Sequence, residues 1–273
     1  MRWMPTRSMR GYFDHNDGPL MHKWLHYFPI YQQHLRPFRG RRSTVLEIGV
    51  SHGGSLKMWR YWLGRRAHVV GIDIEPRVAG LAEPGIDIMV GDQSDPAFLA
   101  ELARRHGPFD VVIDDGGHIP AHQIASIEAL WPHVRPGGIY LVEDLHSNYW
   151  PEMGGRRGAP DTFIAWLGAR LDDLHAFHSR EDDFQPNDWT STIAGIHLYD
   201  SVAVLDKCAP RPRPEHRKTG FPVFDDVYGR SHDEMLDEHH RRQIAAVGRP
   251  LRRLGRLVRH PVVTTRRVLA RRR

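Results

Sequence analysis

Residues 109–118 read FDVVIDDGGH, an apolar run that ends in acids, glycines and a histidine. A second run, residues 138–144, reads GIYLVED and also ends in two acids. Short apolar runs bounded by glycine and polar residues are typical of buried parallel strands. Because ligands bind at the carboxyl ends of the strands in an open α/β sheet, we expect both groups of polar residues to meet at one edge of a sheet.

The two groups together supply three carboxylates and one imidazole. Asp115, Glu143 and Asp144 would repel one another unless a cation lay among them. Ligation by oxygen alone favours a hard ion, Mg²⁺ first, with Mn²⁺ left open. His118 beside such an ion is suited to act as a general base near neutral pH. Simpler roles stay open, since Asp115 could cap the helix that follows and the other three could be ordinary loop residues.

The rest of the chain alternates between strand and helix patterns. Predicted parallel strands occupy residues 44–48, 67–72, 86–90, 109–113 and 139–142. Predicted helices occupy residues 22–34, 55–63, 96–106, 120–134 and 161–177. Two late runs, 192–199 and 201–205, are predicted to form an antiparallel pair. This order predicts an α/β fold with a Rossmann-like, doubly wound, seven-stranded mixed sheet.

Changes of composition divide the chain into three parts. Residues 1–40 are rich in aromatic residues and histidine and are predicted to form a helical lid segment. Residues 41–208 hold the predicted sheet, and residues 209–273 form a Pro- and Arg-rich extension predicted to be partly disordered. The net charge is +5, but residues 249–273 contain ten arginines and no acid, so the remainder carries 5 − 10 = −5. The positive net charge therefore comes from the tail, and it does not indicate that the whole chain binds nucleic acid.

A glycine-rich turn follows the first predicted strand. Residues 47–55 read EIGVSHGGS, which differs from the dinucleotide fingerprint but lets a ligand approach the backbone closely. Asp73, at the end of the second strand, stands where an acid can bind ribose hydroxyls. Asp92, after the third strand, stands where a side chain could meet an adenine. The set predicts an adenosine-containing cofactor.

Four segments carry a resemblance to a known family: VLEIGV (45–50), GDQSD (91–95), IDDGGH (113–118) and VEDL (142–145). They resemble the class I S-adenosylmethionine-dependent methyltransferases. More narrowly, the chain looks like the Mg²⁺-dependent O-methyltransferases of the mycinamicin type, which methylate deoxysugars of macrolides and related glycosides in antibiotic biosynthesis. Cephalosporin-hydroxylase-like proteins share much of the pattern. The resemblance covers roughly residues 12–207.

The resemblance implies S-adenosylmethionine and Mg²⁺ as cofactors, a homo-oligomer, and roles for individual residues. It implies that the cofactor contacts Glu47, Gly49, Asp73 and Asp92, with Ser51 and Gly53 in the same glycine-rich turn. Asp114 faces either the cofactor or the core. The implied metal ligands are Asp115, Glu143 and Asp144, and the implied general base is His118.

The predicted function is O-methylation of a sugar hydroxyl on a glycosylated natural product, a glycolipid or a polysaccharide precursor. One alternative is an oxygenase of the cephalosporin-hydroxylase kind, which would need two convergent histidines at an iron site. A second alternative is a non-catalytic nucleic-acid-binding protein that uses the basic tail. The complete acid cluster and the acidic body argue against both.

The expected location is cytoplasmic. Residues 1–5 lack an apolar signal core, no apolar run reaches about eighteen residues, and Cys208 is the single cysteine. Leucines alternate with arginines in residues 249–273, which resembles a basic amphipathic helix for anionic lipid at the inner membrane face. A disordered tail or a weak contact with nucleic acid stays open for the same segment.

Overall fold

A computed structural model describes residues 8–217 and 219–220. Within these residues, no helix combines the length and apolar character needed to span a bilayer. The arginine-rich segment 249–273, for which a lipid or nucleic-acid contact was predicted, lies outside the described residues. Most of the predicted extension 209–273 lies outside them as well, so its disorder stays a prediction.

The described chain contains one seven-stranded sheet in the order β3-β2-β1-β4-β5-β7-β6. Its strands are β1 (Thr44–Ile48), β2 (His68–Asp73), β3 (Ile86–Val90), β4 (Phe109–Asp114), β5 (Val134–Val142), β6 (Ile193–Tyr199) and β7 (Val202–Lys207). Strands β1 to β5 pair in parallel, whereas β7 runs antiparallel to both β5 and β6. The predicted Rossmann-like mixed sheet is confirmed.

Helices cover both faces of this sheet. They are α1 (Met9–Asp14), α2 (Tyr27–Leu35), α3 (Gly54–Leu63), α4 (Pro96–His106), α5 (Pro120–Leu130), α6 (Phe163–His175) and α7 (Asp188–Thr192). Alternate strand residues point to opposite faces, so Val45 packs with α1 to α3 and Leu46 packs in the second core with α4 to α6. Both faces of the sheet are buried, which explains why consecutive residues of β1 (45 and 46) and of β4 (111–113) are apolar.

Two helix boundaries differ from the prediction by four residues or more. Helix α2 begins at Tyr27 rather than at residue 22, because the preceding residues run as a loop across the start of α3. A Cβ added to Gly54 would lie 2.4 Å from the carbonyl oxygen of Pro19 in that loop. Helix α5 ends at Leu130 rather than at residue 134, because Pro132 lacks the N–H that a longer helix needs. The chain therefore enters β5 at Val134, earlier than predicted.

Candidate active site

The carboxyl ends of β1, β2, β4 and β5 open onto one cavity of about 450 Å³. The loops after these strands supply most of its lining, and residues 20–23 of the N-terminal loop close one side. The predicted site residues that line it are Gly49, Ser51, Asp73, Asp92, Asp115, His118 and Asp144. The cavity therefore brings together four of the seven predicted cofactor residues and two of the three predicted metal ligands, with His118 beside them.

The glycine-rich turn and Asp73 form the first half of this cavity. Gly49 has φ +88°, and a Cβ there would lie 2.0 Å from the carbonyl oxygen of Asp115. Ser51 donates its backbone N–H to Asp73 Oδ2 at 2.8 Å, and Glu75 donates its own to Asp73 Oδ1 at 3.0 Å. Asp73 therefore stands fixed at the end of β2 with lone pairs still available to a ligand hydroxyl.

Asp92 stands on the neighbouring loop. Its Oδ1 accepts hydrogen bonds from the backbone and the side chain of Ser94, at 2.7 and 2.8 Å. These bonds hold the pKa of Asp92 below its usual value. Asp92 is therefore an ionised acceptor at the cavity wall.

Gln93, which sequence reasoning missed, joins two loops beneath the cavity. It accepts a hydrogen bond from the backbone N–H of Gly117 at 2.7 Å and donates one to Asp114 Oδ1 at 3.1 Å. Asp114 itself is buried and does not line the cavity, and burial raises its pKa to about 7. Asp114 thus faces the core and supports the loop that carries Asp115.

The second half of the cavity holds Asp115, His118 and Asp144. His118 Nε2 lies 3.4 Å from Asp144 Oδ2 and 3.9 Å from Asp115 Oδ1. One ligand atom from each of the three lies within 4.8 Å of the others. His118 Nδ1 is buried and has no hydrogen-bond partner among the described residues. The imidazole therefore presents Nε2 to the carboxylates and to the cavity.

Backbone strain concentrates around this cavity. The described residues include four non-glycine residues with positive φ, namely Ser51, His118, Asp144 and Ser201. Three of them line the cavity, and Ser201 accepts the backbone N–H of Leu145 beside Asp144. Such conformations cost about 1–3 kcal/mol each and persist where the surrounding structure enforces them. Because strained backbone is common at functional sites, this strain supports a functional role for these loops.

Tyr27 orients Asp144 from the N-terminal helix α2. Its hydroxyl donates to Asp144 Oδ1 at 2.7 Å, and the side chain is almost fully buried. Burial and the hydrogen bond to Asp144 both raise the pKa of Tyr27, so it remains a neutral donor. Asp144 Oδ2 is left facing His118.

Lys23 lies among the acids on the buried side of the cluster. Its Nζ contacts Asp115 Oδ2, lies 3.1 Å from both carboxylate oxygens of Glu143, and lies 3.9 Å from Glu47 Oε1. Burial works to lower the pKa of Lys23, but the charges of Asp115 and Glu143 outweigh it and raise that pKa. Lys23 is therefore protonated among the acids of this cluster.

Glu47 and Glu143 lie behind the cavity wall rather than on it. Glu47 accepts hydrogen bonds from Ser55 Oγ at 2.8 Å and Trp59 Nε1 at 3.0 Å, and burial raises its pKa to about 7. Burial and the charge of Asp115 raise the pKa of Glu143. Gly53, the N-cap residue of α3 with φ +80°, also does not line the cavity. The predicted cofactor contacts of Glu47 and Gly53 and the ligand role of Glu143 remain predictions.

Exposed aromatic side chains lie beside Asp144, at the end of the site that carries the carboxylates. Trp24 and Trp150 are 51% and 45% exposed, and the ring of His146 packs between them, with centroids 5.8 and 4.7 Å away. His146 follows Asp144 by two residues, which places this surface beside the carboxylates. His146 Nδ1 also lies 4.0 Å from Asp144 Oδ1, and exposed apolar patches of this kind are typical of ligand-binding surfaces.

Comparison with known proteins agrees with this geometry. A family model described as a methyltransferase domain matches residues 46–145. The chain is 41% identical over 199 residues to demethylmacrocin O-methyltransferase of Streptomyces fradiae, covering 68% of this chain and 50% of that protein. It is 40% identical over 196 residues to mycinamicin VI 2''-O-methyltransferase of Micromonospora griseorubida, covering 67% and 49%.

A solved structure is similar as well. It is the MycE methyltransferase from the mycinamycin biosynthetic pathway in complex with Mg, SAH and mycinamycin VI. The TM-score is 0.61 at 36% identity, over 74% of this chain and 54% of that one. The chain spans about half the length of the curated relatives it matches. With this fold, this cavity and these relatives, residues 46–145 of the chain form a methyltransferase domain.

Proposed function

We propose that this protein is an S-adenosylmethionine- and Mg²⁺-dependent O-methyltransferase that acts on a sugar hydroxyl of a small-molecule glycoside. The observation that carries the proposal is the single cavity in which Asp73 and Asp92 stand at one end and Asp115, His118 and Asp144 at the other. One space can thus hold a nucleoside cofactor beside an acceptor oxygen, which is the positioning that a two-substrate transfer needs.

The donor set at the second end fits a hard divalent cation. Asp115 Oδ1 and Asp144 Oδ2 face the cavity within reach of each other, and both side chains are only 19% exposed. Partly buried carboxylates in such proximity are stabilised by a cation of high charge, and oxygen ligands suit Mg²⁺ or Mn²⁺. Asp115 and Asp144 would hold the ion, with Glu143 behind them as the third acid.

The chemistry is a proton removal coupled to methyl transfer. When bound, S-adenosylmethionine supplies the methyl group and Mg²⁺ stabilises negative charge on the acceptor oxygen. His118 accepts the hydroxyl proton at Nε2, the nitrogen that faces the carboxylates. Asp144, held by Tyr27, stabilises the imidazolium that results.

A glycoside acceptor is supported by the surface beside the carboxylates. Trp24 and Trp150 offer exposed rings on which the apolar face of a sugar or an aglycone can stack. According to their names, the two relatives described above methylate demethylmacrocin and mycinamicin VI. The class of acceptor is therefore a glycosylated natural product, while the particular sugar and hydroxyl are open.

The oxygenase alternative finds no support in this cavity. The described residues contain two groups of two histidines with one aspartate, namely His34, His197 and Asp206, and His68, Asp87 and His106. Neither group lines the cavity. The acid cluster at the cavity has one histidine, whereas the iron site of such an oxygenase needs two.

Calorimetric titration with S-adenosylhomocysteine, with and without MgCl₂, tests the proposal. We expect cofactor binding by the wild type and by an Asp115→Asn/Glu143→Gln variant, with the Mg²⁺ signal lost in the variant. Demethylmacrocin and mycinamicin VI, the substrates named for the two relatives, then serve as acceptor probes in a methyl-transfer assay, with His118→Gln expected to lose at least about 100-fold in rate. An absence of S-adenosylhomocysteine binding under every condition would refute the proposed function.

A further inference from the structure

Lys23 is the feature that the proposed chemistry leaves without a role. Its side chain is 3% exposed, and its Nζ contacts two of the three acids predicted to bind metal, Asp115 and Glu143. Tyr31 and Trp59 also face the ammonium, each with its ring centroid 5.8 Å away. Burying an ammonium group is costly unless acids and aromatic rings surround it. The acids and aromatic rings around Lys23 therefore form a pocket that is suited to a buried cation.

The charges around Lys23 show why the pocket exists. Glu47, Asp115 and Glu143 bring three carboxylates against one ammonium, and Glu47 and Glu143 are at most 1% exposed. Without a cation such a group destabilises the fold, because the acids repel one another where water cannot screen them. Lys23 supplies part of the charge that a divalent ion would otherwise supply.

Asp115 links the lysine to the candidate metal position. Its Oδ2 contacts Lys23, whereas its Oδ1 faces His118 and the cavity. A cation held by Asp115 and Asp144 would thus share a carboxylate with the ammonium. Two cations that share one carboxylate compete for its charge.

We propose that Lys23 is a positioning residue that acts as the resident counter-cation of the acid cluster. It holds Asp115 and Glu143 in place before a divalent ion binds, and it competes with that ion for their charge. Lys23 therefore sets the affinity for Mg²⁺, and it ties the loop of residues 19–26 to the occupancy of the site. This inference rests on the proposed function, because it presumes the Mg²⁺ site.

Titration of MgCl₂ into the protein without cofactor or acceptor tests the inference. We expect Lys23→Met to bind Mg²⁺ at least about tenfold more tightly than the wild type, because a positive charge next to the ion is gone. Lys23→Arg keeps the charge and should stay within about threefold of the wild type. The matched control is Lys57→Met, which removes an exposed lysine paired with Glu83 and should leave the affinity unchanged. A lysine with a merely structural role would give the opposite sign, with weaker Mg²⁺ binding in Lys23→Met.

Thermal unfolding supplies a second readout. In chelator, Lys23→Met should melt below the wild type, and excess MgCl₂ should raise its Tm by more than it raises that of the wild type. A Met variant that stays unfolded in chelator and in excess MgCl₂ overturns the inference, because Mg²⁺ then cannot replace the lysine. Equal or weaker Mg²⁺ binding by Lys23→Met also overturns it.

Titration of S-adenosylhomocysteine into the same preparations separates the two claims. If the wild type binds the cofactor and Lys23→Met has an unaltered Mg²⁺ affinity, only the role of Lys23 is refuted and the proposed function stands. Absence of cofactor binding in the wild type refutes the proposed function instead.

Discussion

Gly49→Ala should disrupt the site where two loops touch. Gly49 has φ +88°, and an added Cβ would lie 2.0 Å from the carbonyl oxygen and 2.7 Å from the carbonyl carbon of Asp115. Both contacts are with backbone, so rotation of a side chain cannot relieve them. Gly49 donates its N–H to Ile72 at 2.8 Å, and Asp115 donates its own to Ile48 at 3.0 Å, so both loops are also anchored to the sheet.

The free-energy cost has two parts. A left-handed conformation costs a non-glycine residue about 1–2 kcal/mol, and overpacking against fixed neighbours costs about 1–3 kcal/mol. Together they lower the free energy of unfolding by about 2–5 kcal/mol. Because relief of the clash moves the glycine-rich turn and Asp115 apart, the affinities for S-adenosylhomocysteine and for Mg²⁺ should fall together.

Gly64→Ala is the matched control, since Gly64 has φ +99° and no atom within 4 Å of the added Cβ. It should cost only the conformational part, about 1–2 kcal/mol, and should leave ligand affinities unchanged. Urea unfolding and calorimetric titration of both variants measure these quantities. If Gly49→Ala were no more destabilising than Gly64→Ala and bound both ligands normally, the close approach of the two loops would be wrong.

Three further predictions concern single side chains. Tyr27→Phe removes a buried donor to an ionised acceptor, so the free energy of urea unfolding in chelator should fall by about 1.5–3 kcal/mol. Asp73→Ala should weaken S-adenosylhomocysteine binding by about 10- to 100-fold in calorimetry, because a charged acceptor at the cavity wall is lost. Burial and the neighbouring His197 lower the pKa of His34 below its usual value of 6.5. The neutral imidazole therefore stabilises the fold fully above pH 6.5, and this stabilisation is lost as the pH falls through the lowered pKa of the folded state. His34→Gln should therefore flatten the fall in Tm measured as the pH is lowered from about 7.

Each of these predictions has its own check. For Tyr27, a loss below about 0.5 kcal/mol would contradict a buried charge-assisted bond. For Asp73, the control is Asp87→Ala, an exposed acid paired with His68 that should leave cofactor binding intact. For His34, a variant whose Tm falls with decreasing pH as steeply as that of the wild type would show that other groups govern the pH dependence.

The sequence by itself predicted the alternation of strands and helices and which polar residues follow each strand. Apolar runs such as residues 111–113 predict buried strands, because a strand that is buried on both faces is apolar at consecutive positions. Since parallel strands end at one edge, the acids after β4 and β5 had to lie near each other, and the cavity does contain Asp115 and Asp144. These inferences use local patterns, and local patterns are what a single sequence records.

Only the tertiary structure decided which residues complete the acid cluster. Lys23 contacts Asp115, which lies 92 residues away in the sequence, and Tyr27 donates a hydrogen bond to Asp144, which lies 117 residues away. The one signal in the sequence was slight: Lys23 is one of four lysines in a chain that otherwise uses arginine as its cation. A helical pattern over residues 22–34 even predicted the wrong path for the loop that carries Lys23. The path of that loop depends on packing against α3 and on the charges of distant acids, and neither leaves a periodic trace in the sequence around it.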